Sequence, residues 1–452
     1  MNASCTNDVK RNEEDIFPDI IGYENIKNEM RPVVDLIVNR GYYQKLGAKM
    51  PGGLMFFGEP GVGKTLLANS FTAACGLPVF VCRRDKPTPE FIEFIKETFA
   101  QARAQAPSIV LLDDLDKFAN DDEEHTDSEE FVTVQSCIDA VRGSGVLVLA
   151  TANDLDCLPE SLLRSGRFDS IIHIPAPSYR DAVKIFQHYL DGRGLSRIDG
   201  ELVARLMADA SCADLESIAN EAALIAAYNG DPAIETEHFI KACLKVKFRI
   251  STANYSLQDV DASRLSAMQQ DDDDYRETLR IAYHEAGHVV VGETLSPGSV
   301  TLVSLRGQDS DKGGFASHFR GQDRDVISAA LEKAAVSLGG RAAVELKFGE
   351  LCSGSADDLD TCYSVIKQLI CQECIRSLEH YRVLDRWGRD EPDSRTKAVI
   401  IQEVEKCCQK VKEILIRNSA FLDRLAAALM EKGLLLRGDI ARIKEEAKAE
   451  AA

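Results

Sequence analysis

Three short apolar runs, Leu54–Phe57, Ile109–Leu112 and Gly145–Ala150, recur through the first third of the chain, with stretches of helical pattern between them. Runs without polar alternation, separated by helices, predict parallel strands buried on both faces of a sheet. From Ser178 to Phe248 the pattern is helical throughout. Ser251 to Asp274 is polar, lacks a clear period and ends in Asp271-Asp272-Asp273-Asp274. It predicts a linker whose carboxylates stand just before the next helix, at its positive end. That helix is marked by Ile281, Ala282, Ala286 and Val289 to Val291, an apolar run with no proline. Two further helical stretches follow, Thr396–Asn418 and Ala420–Glu450. The expected organisation is a flexible tail (1–14), an α/β domain (15–177), a small helical domain (178–250), a linker (251–274) and a mainly helical domain (275–452).

A length of 452 residues accommodates these domains, and 45% apolar with 28% charged residues is ordinary for a globular protein. The net charge of -20 argues against nucleic acid or an anionic membrane surface as the main partner. No apolar run approaches the roughly 20 residues that span a bilayer, and Met1 to Asp15 has no signal-peptide core. The 13 cysteines are odd in number and irregularly spaced, which fits thiols in a reducing cytosol. Cys371-Gln372-Glu373-Cys374 is a lone C-x-x-C and reads as structural thiols. These totals predict a soluble, cytoplasmic protein.

Two motifs add chemistry. Gly58-Glu59-Pro60-Gly61-Val62-Gly63-Lys64-Thr65 follows the first apolar strand and leads into a helix-forming run from Leu66, the strand–loop–helix setting of a P-loop. Its glycines let backbone N–H groups turn towards phosphate oxygens at a helix N-terminus, where anions are favoured. Lys64 offers a point charge to the β and γ phosphates of ATP, and Thr65 a hydroxyl to Mg2+. The second apolar strand ends in Asp113-Asp114. Asp113 fits the carboxylate that holds Mg2+, and Asp114 is placed to orient or deprotonate the attacking water. The third strand leads to Asn153, whose amide can reach the γ-phosphate or that water. Asp121-Asp122-Glu123-Glu124 reads as a solvated loop.

The second motif is His284-Glu285-Ala286-Gly287-His288, within the apolar helix. Positions i and i+4 share a helix face. His284 and His288 can therefore offer two imidazoles to one Zn2+, with Glu285 beside them as the proton acceptor. A metzincin needs glycine at 291 and histidine at 294, where this chain has Val291 and Thr294. A third ligand must come from further away.

The P-loop, Leu111-Leu112-Asp113-Asp114, Asn153 and Leu162-Leu163-Arg164-Ser165-Gly166-Arg167-Phe168-Asp169, in that order, resemble the AAA+ ATPase module. The resemblance implies that Arg164 and Arg167 reach the nucleotide of a neighbouring subunit in a ring, usually a hexamer. Ala213-Asp214-Leu215 with Asn220-Glu221-Ala222-Ala223 resembles the module's helical lid, and Asp19-Ile20-Ile21-Gly22 the segment that lines its adenine pocket. In the second half, Arg280-Ile281-Ala282-Tyr283, Leu338-Gly339-Gly340-Arg341-Ala342-Ala343 and Cys352-Ser353-Gly354-Ser355-Ala356-Asp357-Asp358-Leu359 are similar to the FtsH family of membrane ATP-dependent zinc proteases. In that family an aspartate completes the metal site. The matching position is Asp358, with Asp357 the neighbouring alternative. The resemblance runs from about Ile16 to Lys444.

Three departures matter. The family usually has glutamate where this chain has Asp114, one methylene shorter. Members that thread polypeptide carry an aromatic–hydrophobic–glycine triplet after the second strand, and the stretch Val81 to Phe91 lacks it; Phe91 is expected to open the next helix against the core. FtsH relatives usually begin with two transmembrane helices, whereas this chain starts almost directly at the ATPase, which suggests a soluble variant. The reading is a ring-forming, ATP-dependent zinc metalloendopeptidase acting on protein substrates. It comprises an α/β AAA+ domain, a helical lid and a mainly α-helical metallopeptidase domain. A remodelling ATPase or chaperone with a weak or vestigial peptidase half is the alternative, and an ATP-independent oligopeptidase a third.

Overall fold

The computed structural model describes residues 15–48, 50–119, 128–164, 166–190, 210–249, 272–305, 314–318, 327–350, 355–373, 375–377 and 392–451, with short pieces at 196–197, 202 and 205–208. The tail 1–14, the acidic run 121–124, Ser165, Cys352 to Gly354, Cys374 and nearly all of the 251–274 linker lie outside the described residues. The chain divides into two compact units, Met1–Ser196 with Met207–Ala223, and Arg197–Leu206 with Leu224–Ala452. The 178–250 stretch is thus shared between them.

In the first unit α1 (Glu24–Val38) and α2 (Arg40–Lys45) precede β1 (Gly53–Phe57). There follow α3 (Lys64–Cys75), β2 (Val79–Cys82), α4 (Thr88–Ala104), β3 (Ser108–Leu112), α5 (Glu129–Val141), β4 (Val146–Ala152), β5 (Ser170–His173) and α6 (Tyr179–Leu190). The five strands form one parallel sheet in the order β2-β3-β4-β1-β5. The three expected strands are β1, β3 and β4, each within two residues of its sequence bounds and almost wholly buried. Burial on both faces is why they read as unbroken apolar runs. Each fully buried side chain such as Leu54, Met55 or Leu112 contributes about 1.5–3 kcal/mol. The edge strands β2 and β5 are partly exposed and carry no such run. Phe91 is buried in the first turn of α4, edge-on to Phe118 at 4.9 Å, as expected.

Two two-residue strands, β6 (Ser196–Arg197) and β7 (Ile234–Glu235), pair in a small sheet within the stretch expected to be helical; they are too short to register a period. Between them α7 (Cys212–Asn229) opens on a reciprocal cap. Asp214 N donates to Ser211 Oγ at 3.2 Å, and Ser211 N donates to Asp214 Oδ2 at 2.9 Å. After β7 comes α8 (Thr236–Val246), whose first turn is boxed by Glu235 and His238.

The second unit is built on α9 (Asp272–Leu295), followed by β8 (Val300–Ser304), β9 (Phe315–His318), α10 (Ile327–Ser337), α11 (Gly339–Phe348), α12 (Ala356–Cys371), α13 (Ser394–Arg417), α14 (Ser419–Lys432), β10 (Leu434–Leu436) and α15 (Arg437–Ala451). Two expectations need correction. The aspartate run does not stand before α9, because the helix already begins at Asp272. The stretch Ala420–Glu450 is not one helical segment. Gly433 takes a left-handed φ of 70°, which ends α14 and turns Leu434–Leu436 out to pair antiparallel with β8. The sheet β10-β8-β9 that results is the non-helical part of a mainly helical unit.

Ala282, Ala286 and Val289 to Val291 of α9 lie buried with Leu338, Ala342 and Ala343 beside α11 and with Leu425 and Leu429 of α14. Helix α9 ends on the buried Glu293, which accepts from Gly298 N (2.9 Å), Val300 N (3.1 Å) and Lys444 Nζ (3.1 Å). Among the described residues no helix is long and apolar enough to cross a membrane.

Candidate functional site

At the end of β1 the backbone of Gly58 passes so close to Ile174 that a Cβ would stand 2.1 Å from its carbonyl oxygen, so only glycine fits. Gly63 caps α3, and Lys64 is its first residue. Lys64 Nζ donates to the carbonyls of Gly58 and Glu59, both at 2.8 Å. Burial pulls its pKa down, with Asp114, Asp116 and Asp113 opposing. Gly61 O accepts from Ala213 N at 3.1 Å, so the first turn of α7 leans on the loop.

The two acids at the end of β3 are each engaged. Buried Asp113 accepts from Thr65 Oγ1 (3.1 Å), from Thr151 Oγ1 (2.7 Å) and from the Arg83 guanidinium. Asp114 adopts a left-handed backbone (φ 57°), donates its N–H to Thr151 Oγ1 at 2.8 Å and accepts from Lys117 Nζ at 2.8 Å. The Asn153 amide is held by Asp116, donating Nδ2 to its Oδ2 at 2.9 Å. Thr151, Arg83 and Asp116 had no signal in the sequence, because none belongs to a contiguous motif.

Ile21 lines a cavity of about 110 Å³ with Ile20, Tyr23, Val62, Leu66 and Cys212. Gly22 turns the backbone there with φ 69° and packs on Asp181. Tyr23 donates its hydroxyl to Pro175 O at 3.0 Å, and burial pushes that phenol up. The two candidate arginines differ. Arg164 is exposed. Arg167 is held within its own chain, by Asp139 through Nη2 (2.8 Å) and Nε (3.3 Å), by Gln135 Oε1 (3.1 Å) and by Ser161 O (2.8 Å).

On α9 the two histidines face one another one turn apart, their Nε2 atoms 3.1 Å apart. Asp358, in the first turn of α12, brings Oδ2 to 3.1 Å from His284 Nε2 and 3.3 Å from His288 Nε2. Asp357 is exposed and outside this cluster. Two imidazoles and a carboxylate around a tetrahedral zinc, at about 2.0–2.1 Å each, have ligand atoms about 3.3 Å apart. The triangle in this chain fits that size. His288 Nδ1 lies 2.7 Å from Val336 O, a contact that fixes the ring with Nε2 towards the site.

Burial pushes the His288 imidazole down, but the Asp358 carboxylate, Glu285 and the Val336 carbonyl outweigh it and raise the pKa to about 9. Burial also raises Asp358, yet the two imidazoles hold its carboxyl well below the usual range. Glu285 is buried behind the triangle; burial lifts its carboxyl, Asp358 adds to this and both histidines oppose it. A carboxyl raised above its ordinary range suits proton transfer. The site is framed by glycines whose Cβ atoms would strike it. Gly340 lies against the His284 ring and Gly314 against the Glu285 side chain. Sequence reasoning gave these glycines no role in the site.

A P-loop core followed in one chain by a histidine pair, a carboxylate and a buried glutamate defines an ATP-dependent metallopeptidase. Residues 54–176 match the ATPase family associated with various cellular activities (AAA), and residues 273–443 match peptidase family M41. Among curated proteins, the chain is 30% identical to the ATP-dependent zinc metalloprotease FtsH of Methylococcus capsulatus, covering 95% of this chain and 70% of that one. It is 29% identical to FtsH of Thermotoga maritima over 96% and 74%, and 27% identical to FtsH 2 of Thermoanaerobacter sp. over 95% and 83%. The chain belongs to the FtsH family of ATP-dependent zinc metalloproteases.

Proposed function

We propose that this chain is an ATP-dependent zinc metalloendopeptidase that degrades protein substrates as a homo-hexameric ring in the cytoplasm. The observation that carries the peptidase reading is the triangle of His284 Nε2, His288 Nε2 and Asp358 Oδ2, with sides of 3.1, 3.1 and 3.3 Å, beside buried Glu285. His284, His288 and Asp358 would hold zinc. Bound there, zinc would lower the pKa of a water and polarise the scissile carbonyl. Glu285 takes the proton of the attacking water and returns it to the leaving amine nitrogen. Val336 O keeps the His288 ring oriented throughout.

In the ATPase half, residues Gly58 to Leu66 cradle the phosphates, and Lys64 neutralises the β and γ oxygens. Thr65 and Asp113, joined at 3.1 Å, would hold Mg2+. Asp114 and Asn153 position the water, Ile21 and Gly22 border the adenine, and Arg164 and Arg167 serve the neighbouring subunit's nucleotide. We place the tail at 1–14, the α/β ATPase domain at 15–177, the helical lid at 178–250 and the start of the peptidase domain at α9, which opens at Asp272.

Degradation of unfolded casein by wild type, Lys64→Ala and Glu285→Gln, with and without ATP, tests this reading. We expect cleavage only by wild type with ATP, and a loss of about 10²–10⁴-fold in Glu285→Gln with ATPase activity kept. Casein cleavage by Glu285→Gln at the wild-type rate would end the peptidase assignment. Cleavage confined to short peptides and indifferent to ATP would favour the oligopeptidase reading.

A further inference from the structure

The loop between β2 and α4 holds an arginine at the centre of the nucleotide site. Arg83 directly follows β2, and its guanidinium donates to Asp113 Oδ2. The two side chains differ sharply in environment: that of Asp113 is 3% exposed and that of Arg83 58%. The other carboxylate oxygen, Oδ1, already accepts from Thr65 and Thr151 hydroxyls. Hydroxyls supply hydrogen bonds but no charge. A buried carboxylate left without a counter-cation is costly, and Arg83 is the cation that reaches it.

We propose that Arg83 is a built-in competitor of Mg2+ for Asp113, so that binding the divalent ion and releasing the Arg83 side chain from that carboxylate are one event. This inference rests on the nucleotide-site reading above. A divalent ion held between Thr65 and Asp113 brings positive charge to the carboxylate that Arg83 now neutralises, and two cations on one carboxylate repel. Arg83 is the partner that can leave, since its side chain is more than half exposed while that of Asp113 is buried. The next residue is fixed differently. Arg84 donates to Phe118 O and to Thr88 Oγ1 (3.1 Å), and Thr88 donates to Glu130 Oε1 at 2.8 Å. Displacing Arg83 therefore frees that one side chain while its neighbour Arg84 stays anchored, and the position of the guanidinium records whether the metal is bound.

The test is equilibrium binding of Mn2+, followed by electron paramagnetic resonance, to full-length wild type, Arg83→Ala, Arg83→Lys and Lys64→Ala with a saturating non-hydrolysable ATP analogue. A charge-assisted hydrogen bond that must be broken predicts Mn2+ binding about tenfold tighter in Arg83→Ala, with Arg83→Lys in between. Thermal unfolding of each variant confirms that it is folded. Unchanged Mn2+ affinity in Arg83→Ala, or weaker affinity, would overturn the inference; weaker binding would make Arg83 a support of the metal and not its rival. Lys64→Ala separates the two levels. If it binds nucleotide and Mn2+ like wild type, the nucleotide-site reading itself fails. If it loses both while Arg83→Ala matches wild type, only the Arg83 inference fails.

Discussion

Replacing Gly340 with alanine places a methyl group against His284, a proposed metal ligand. An added Cβ would lie 2.6 Å from Cε1, Nδ1 and Nε2 of His284. Ordinary contact begins at 3.4 Å, so the ring must retreat by about 0.8 Å. Metal–ligand distances tolerate only about ±0.2 Å. The displaced ring therefore cannot complete the triangle with His288 and Asp358, and we expect zinc affinity to fall at least 10–100-fold, the loss typical of misplaced ligand support. Stability should fall less steeply than in a rigid core, because an imidazole ring can turn aside. An overpacking cost of about 1–3 kcal/mol, near its lower end, corresponds to roughly 2–8 °C in Tm.

The assay is competition for zinc against a chromophoric chelator, run beside thermal unfolding. Gly349→Ala is the control. Gly349 has a left-handed φ of 70°, but a Cβ there meets nothing within 4 Å. It should lower Tm by a comparable amount while leaving zinc affinity unchanged. If Gly340→Ala binds zinc as tightly as wild type, the contact with His284 does not position the ligand, and the reasoning is refuted.

The arginine pair should separate on stability. Arg167→Ala removes three partners within its own chain and should cost about 1–2 kcal/mol by chemical unfolding, whereas Arg164→Ala should cost under about 0.5 kcal/mol while slowing ATP hydrolysis; the reverse order of stabilities would contradict the geometry. At the entrance to α1, the buried Lys27 ammonium hydrogen-bonds Asp15 at 2.9 Å and holds its carboxyl below the ordinary range. A depressed folded-state pKa means the stabilisation is complete above about pH 4 and is lost as pH falls through the folded value. With Asp15 half exposed, Asp15→Asn should cost about 0.5–1 kcal/mol at pH 7. Denaturant titrations should find that gap closing below pH 4, and a gap that widens on acidification would be evidence against the pairing.

The residues most legible from sequence are those whose chemistry is contiguous. The P-loop fits in eight residues and the histidine pair in five, and both stand on the elements expected of them. Asp358 lies 70 residues beyond His288, so local periodicity could not point to it; resemblance did, and the position of α12 then separates it from Asp357. The glycine pair Gly339-Gly340 was visible as part of a resemblance but had no physical meaning until α9 and α11 were seen to approach through it, with Gly287 O only 2.6 Å from where a Gly339 Cβ would be. Arg83 was read only as part of a stretch lacking a motif. Its partner is buried 30 residues away on a neighbouring strand, and sequence spacing carries no sign of such a pairing. The small sheet of the second unit was hidden for a related reason. Leu434-Leu435-Leu436 is as apolar as the helices around it, and only the turn at Gly433 diverts it to β8.

The staple at Glu293 has a consequence for biosynthesis. Lys444 reaches both the carbonyl and the carboxylate of Glu293, and β10 completes the sheet beside it, so the far end of α9 is secured by residues translated long after the histidines. Domains fold as they emerge, beginning from the N-terminal side. The five-stranded sheet has all its strands before His284, the first of the proposed zinc ligands, is synthesised. The helix carrying His284 and His288 gains its last supports only once Leu434 to Lys444 have appeared. The elements around Gly58 to Thr65 can therefore form on the ribosome well before the triangle of His284, His288 and Asp358 has its last supports.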